Sequence, residues 1–207
     1  MTTLSTYRTL LLDLLDDYDQ DRYVDDTLDS ALRLALADLD QTFPVERSQI
    51  VDATGQNRIA LDDDFTAIII SRIEHYNEDN PNITELLAFT SSLQDGTWVI
   101  ELDTALSNTE DIEIFYTTPN TIEGLDTAST TTLPSRLVNP FLRAAAGYAV
   151  QIRAQAISEN NNLVDSTPAT LAALANTWID DFRTLLNQAT RRGSFIHWPT
   201  TDLFTNH

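Results

Sequence analysis

Acidic side chains are the densest candidates for chemistry in this chain. Asp17, Asp19, Asp21 and Asp25 have the spacing of positions one, three, five and nine of a calcium-binding EF-hand loop. Oxygen ligands in that order would wrap a hard cation. The pattern then fails where it matters. Arg22 stands in place of the turn glycine, and Leu28 sits where the bidentate glutamate is needed. A solvated acidic turn is the simpler reading. Asp62-Asp63-Asp64 is a second cluster, but neighbours on an extended segment point to opposite sides, so three in a row cannot face one ion. A turn with a charged strand start is expected there.

Other constellations are thinner. Glu74 and His75 are adjacent, but no second histidine follows at helical spacing to make a zinc pair. His197 and His207 both lie near the C-terminal end. Ser71, Ser135 and Ser194 are not set in a G-x-S-x-G elbow. Five scattered glycines form no phosphate cradle. The absence of cysteine removes disulfides, zinc-thiolate sites and thiol catalysis together. The residues therefore nominate no catalytic group, no metal site and no cofactor, and a non-enzymatic role is expected.

Charge narrows the class further. The chain has 12 basic residues, all arginine, against 32 acids, and a net charge of −20. Of the acids, 23 are Asp and 9 are Glu. Such a surface repels itself in dilute salt and stays hydrated in concentrated salt, which suits a salty, halophilic cell. It excludes a broadly cationic nucleic-acid binder, since nothing would neutralise a run of phosphates. No apolar run approaches the ~18–20 residues that a membrane span needs. Ala67-Ile68-Ile69-Ile70 ends at Ser71-Arg72. Met1-Thr2-Thr3 opens directly into an amphipathic pattern, so no secretory signal and a cytosolic origin are expected.

The elements that must position these residues follow from period. Leu4, Tyr7, Leu11, Leu14 and Tyr18 predict a helix over 4–17. A second helix is capped by Asp25 or Asp26, with Leu28, Leu32, Ala35, Leu36 and Leu39 on its apolar face, and stops at Phe43-Pro44. Ser48–Val51, Arg58–Leu61 and Phe65–His75 read as strands, the first two joined by a turn at 54–57. Asp95-Gly96 introduces Trp98–Leu102. Asp111–Tyr116 is expected to answer it as an antiparallel pair, with Ile112, Ile114 and Tyr116 facing one way. Residues 119–132 form a Thr-rich connection without period. Leu137, Phe141, Ala145, Tyr148, Ile152 and Ala156 mark a long helix to about Glu159, with Pro140 early in it. Ser166 or Thr167 caps a last helix whose face is Leu171, Leu174, Trp178, Phe182, Leu185, Leu186 and Ala189. Arg191-Arg192 and Gly193 end it.

The expected fold class is α+β: an N-terminal helix pair, a small central antiparallel β domain, a long C-terminal helix pair and an extended tail. The segments are 1–44, whose helices pack with the C-terminal ones, 45–132 for the β part, 133–193 for the second helical part and 194–207 for the tail. The tail holds Phe195, Ile196, Trp198, Leu203 and Phe204 in fourteen residues. These either fold back on their own domain or dock on another chain, with Trp198 as the anchor. Arg136, Arg143 and Arg153 on the long helix are candidates for fork-shaped pairing with acids, either across a subunit boundary or within the chain.

The segment order resembles the head-to-tail connector (adaptor) proteins of tailed viruses, which sit beneath the portal ring. Three stretches carry the resemblance. One is the N-terminal helix followed by Tyr23-Val24-Asp25-Asp26-Thr27-Leu28-Asp29-Ser30-Ala31-Leu32, with Ala35–Leu39 and Phe43-Pro44. Another is Leu61-Asp62-Asp63-Asp64-Phe65. The last is Phe115-Tyr116-Thr117-Thr118-Pro119, then Thr132-Leu133-Pro134 and the Ala-rich helix Phe141–Ala156. The resemblance covers most of residues 1–159 and rests on a pattern, not on a sharp motif. It implies a virion structural protein of the neck, assembled in the host cytoplasm. Such a protein forms a homo-oligomeric, dodecameric ring, docks on the portal protein and contacts neck or tail proteins. DNA passes through its lumen without specific binding. On this reading the tail would reach a neighbour or the portal. The chain departs from smaller adaptors in its larger β segment and its longer last helix and tail, which leaves the docking element open. Two alternatives stand beside it. One is a tail-completion or tail-terminator ring protein. The other is a salt-adapted cytosolic enzyme or ligand-binding module.

Overall fold

A computed structural model describes residues 3–17, 20–53, 55–61, 65, 67–76, 86–106, 111–159 and 167–192. The fold is α+β, with four helices and two antiparallel sheets of three strands. It divides into two compact units. Residues 44–120 form a β unit. Residues 1–43 and 121–207 form a helical unit, so the connection at 121–132 belongs with the helices. No described helix is long and apolar enough to cross a membrane.

In the helical unit, α1 (Leu4–Leu15) buries Tyr7, Leu11 and Leu12. Leu14, expected on the buried stripe, is exposed, and Leu12 takes its place. Asp16 ends the helix in the left-handed conformation, φ 53°. The next N–H, of Asp17, then returns to the Leu12 carbonyl at 3.1 Å, which satisfies an orphan acceptor of the last turn. Helix α2 (Asp25–Asp40) buries the whole expected stripe from Leu28 to Leu39. Its cap, however, is Val24, and Asp25 and Asp26 are its first two residues. Their carboxylates favour the helix start through its dipole instead of through a side-chain cap.

Helix α3 (Val138–Glu159) is central and packs against α1, α2 and α4 (Thr167–Arg192). Its composition permits this. Ala144, Ala145, Ala146, Ala149 and Ala154 are buried and let neighbours approach on several sides. Phe141 meets Tyr7 edge-on at 6.1 Å. A Cβ on Gly147 would lie 2.9 Å from the Ala175 carbonyl oxygen, so glycine sets the closest approach of α3 and α4. The aperiodic stretch after Asn120 is ordered by its threonines. Thr132 Oγ1 accepts the Thr121 N–H at 2.8 Å, and Thr131 Oγ1 accepts that of Glu123 at 2.9 Å. Ile122 and Leu125 from this stretch enter the core.

The β unit pairs its strands differently from the sequence expectation. One sheet has the order β1 (Val45–Asp52), β6 (Asp111–Thr118), β3 (Ile69–Tyr76). The other has β2 (Arg58–Ala60), β5 (Thr97–Leu102), β4 (Phe89–Gln94). Strands β1 and β2, expected to be joined by a turn, therefore lie in different sheets and form no hairpin. Likewise β5 and β6 are not a pair. The partner of β5 across Asp95-Gly96 is β4, with Gln94 opposite Thr97. Both turn residues have positive φ, 51° and 89°, as a tight two-residue hairpin requires. Both sheets close over one core of Ile70, Ile73, Ile112 and Ile114 with Ile59, Ile100 and Leu102. A bulge between Ile70 and Arg72 shifts the phase of β3, so that Ile70 and Ile73 both point inward although three residues apart.

Candidate functional site

The apolar face of α4 is wider than its core contact. Ala175, Ile179, Phe182 and Leu186 are buried. Leu174 and Leu185, expected on that face, are instead 43% and 37% exposed. With half-buried Trp178 they form a second stripe at spacings of four and seven. This stripe flanks a groove of about 210 Å³ between the start of α3 and the middle of α4. Phe182 lies at its base, Trp178, Leu185 and Pro140 add apolar walls, and Asn139, Arg143 and Asp181 supply its polar groups. The arrangement offers apolar area with one cation and one anion at its rim. That suits a protein segment with an apolar anchor better than bond-making chemistry.

Of the three arginines nominated from sequence, Arg143 lines this groove. Arg153 is half-buried, with its guanidinium 5.3 Å from the centre of the Tyr23 ring. Arg136 is exposed in the single 3-10 turn before α3. The structure does not bring the three together into one patch. Phe195, Ile196, Trp198, Leu203 and Phe204 lie outside the described residues, as do Asp19, Asp62-Asp63-Asp64 and Ser194.

The well-formed arginine forks fall on residues that the sequence did not single out. Arg8 on α1 holds Asp29 on α2 through bonds of 2.8 and 2.7 Å and also reaches Asp25. Arg33 grips Asp126, and that fork holds the Asp126 carboxyl below its usual range. Arg183 on α4 holds Asp38 on α2, and its Nη2 also donates to the Tyr148 hydroxyl at 2.9 Å. Tyr148 in turn donates to Asp38. Burial and then the Asp38 carboxylate push the Tyr148 hydroxyl up to about 12. A tyrosine so raised stays protonated at neutral pH, so this cluster reads as a lock between three helices. A smaller hollow of about 130 Å³ lies beside it, lined by Asp38, Gln41, Thr42, Arg183, Leu186 and Asn187.

Two acids of the EF-hand-like run, Asp17 and Asp25, are turned to other work. Asp17 is buried, and its Oδ2 accepts the N–H groups of Arg22 and Tyr23 at 3.0 and 2.9 Å, which shapes the entry to α2. Asp25 pairs with Arg8. Glu74 pairs with Arg72 at 2.9 Å, and the Arg72 guanidinium stacks 3.8 Å from the Phe115 ring centre. Among the described residues no group of three or more His, Asp and Glu could hold a metal. The groove was missed because its residues read as one broad core face. The available signal was that width: Leu174, Trp178 and Leu185 exceed the stripe that one helix contact needs. No protein-family model matches the chain, and no curated protein matches it significantly.

Proposed function

We propose that the chain is a virion structural protein that joins the capsid portal to the tail, as one subunit of a ring around the DNA channel. The observation that carries this reading is the apolar groove of α3 and α4, exposed on a chain of net charge −20. An otherwise acidic protein that keeps Leu174, Trp178 and Leu185 at its surface has a use for them in docking. The helix–helix, β unit, helix–helix order supports the connector resemblance. The acidity also fits a channel lining, because like charge keeps DNA phosphates from adhering.

The test is a tagged pull-down from the cells that make the protein, in their own salt, with co-purifying proteins identified by mass spectrometry. Portal and neck proteins are expected in the eluate. Metabolic enzymes, or no partner at all, would overturn the connector reading.

A further inference from the structure

We infer that the groove between α3 and α4 receives helix α1 of a second copy of this chain, with Leu10 and Leu14 as apolar anchors and Asp13 set against Arg143. The first argument is the face that α1 leaves over. Tyr7, Leu11 and Leu12 fill its contact with its own core. Leu10 and Leu14 are 37% and 41% exposed. Their spacing puts them on one face of the helix, and exposed Asp13 lies on the same side. An amphipathic helix enters an apolar groove through anchors at this spacing. The groove, at about 210 Å³, is smaller than the ~300 Å³ at which small-molecule pockets begin, and suits side-chain anchors.

Charge is the second argument. Arg143 is exposed at the groove rim and stands outside the ion pairs of Arg8, Arg33, Arg58, Arg72 and Arg183. Such a guanidinium is a docking point for a carboxylate, and Asp13 is the carboxylate beside the two leucines. Asp181, on the α4 wall, repels an acid placed there, so the two rim charges fix the direction of the incoming helix. Placement is the third argument. On α3, Phe141 meets Tyr7 of α1, and Gly147 meets α4. Six residues apart on one helix, these positions face directions ~120° apart. Helices α1 and α4 therefore flank α3 on different sides. A knob on one side and a groove on the other make a heterologous contact, which passes from copy to copy and can close into a ring. The inference rests on the ring reading and names its subunit contact. The net charge of −20 per copy opposes the contact in dilute salt. Concentrated salt screens that long-range repulsion, and screens a partly buried pair less.

The absence of cysteine makes the test direct. One preparation of the full chain carries Leu14→Cys on the α1 face, and another carries Asn139→Cys at the groove rim. Mixed in concentrated salt under mild oxidation, they should form the mixed dimer about tenfold faster than either forms its own. Asp13→Arg on the first chain, or Arg143→Asp on the second, should slow the mixed cross-link about tenfold, and both together should restore it. All four positions are exposed, so the variants should melt with the native chain. Equal rates for mixed and like pairs, or no response to charge reversal, would overturn the inference. So would fastest joining of Asn139→Cys chains to each other, the mark of a two-fold contact. A ring isolated with portal protein, in which the two thiols do not join, would overturn this contact and leave the connector reading standing. The mixed cross-link in a chain that captures no portal protein would uphold the contact and remove the connector reading.

Discussion

Arg183 on α4 and Asp38 on α2, 145 residues apart in sequence, meet through two hydrogen bonds of 3.0 and 3.1 Å. The Tyr148 hydroxyl on α3 completes the cluster by donating to the same carboxylate. Three helices from the two ends of the chain are tied at this point, although the whole β unit intervenes between α2 and α3.

The two partners of that pair differ in exposure, so their removal differs in effect. The Asp38 side chain is 10% exposed and that of Arg183 is 51% exposed. Asp38→Ala removes the acceptor of the buried Tyr148 O–H and of two guanidinium N–H bonds, leaving only the bond from Arg183 to the Tyr148 oxygen, and should cost about 2–3 kcal/mol in urea unfolding. Arg183→Ala leaves Tyr148 bonded to Asp38 and should cost about 1 kcal/mol or less. The reverse order would show that the cluster does not act as described.

Tyr148 makes stability fall in alkali. Its hydroxyl is raised from 10.0 to about 12 in the folded protein. The folded state thus keeps a proton that the unfolded state has released. The stabilisation is complete below pH 10 and is lost as the pH climbs from 10 to 12. The full effect corresponds to about 2–3 kcal/mol. Melting temperatures of the native chain and Tyr148→Phe between pH 8 and 12 should show a steeper fall for the native chain. Parallel curves would contradict the assignment.

Gly147 should resist a substitution that helix propensity favours. Alanine in a helix interior gains about 1 kcal/mol over glycine. Here its Cβ would press on the Ala175 carbonyl oxygen at 2.9 Å and on Ile179 Cγ1 at 3.0 Å. Overpacking of that kind typically costs 1–3 kcal/mol, about as much or more. Gly147→Ala should therefore lower the melting temperature, and Gly147→Leu should lower it further. A higher melting temperature for the alanine variant would mean that α3 and α4 sit farther apart.

Salt should stabilise the chain. The forks of Arg8 and Arg33 weaken as salt screens them, by about 1 kcal/mol or less each. Repulsion among twenty excess negative charges is relieved over the same range, and the repulsion is the larger sum. The melting temperature should rise from millimolar to molar salt. An unchanged or falling value would contradict adaptation to salt.

The helices were legible in the sequence because their signals are local. The stripe from Leu28 to Leu39 and the run from Leu137 to Ala156 each report one period of 3.6. Strand partners were not legible, because pairing is a property of distant segments. Trp98–Leu102 and Asp111–Tyr116 are both strands, yet they lie in opposite sheets. Strand β4 was missed because its face reads Thr-Ser-Ser, and its residues after Phe89 are exposed. The groove was half legible. The sequence reading of α4 left out Ala175 and Ile179, which are buried, and it could not separate Phe182, which is buried, from Leu185, which is not. The forks of Arg8, Arg33 and Arg183 depend on which helices meet, and no local pattern announces that.

The central claim is that the chain works as a ring subunit on the portal. The most direct measurement is mass determination and electron microscopy of the assembly purified through the tagged chain. A ring of twelve copies attached to portal protein is expected. A six-fold ring on a tail tube would move the protein to tail completion, and a lone monomer with no virion protein attached would contradict the account.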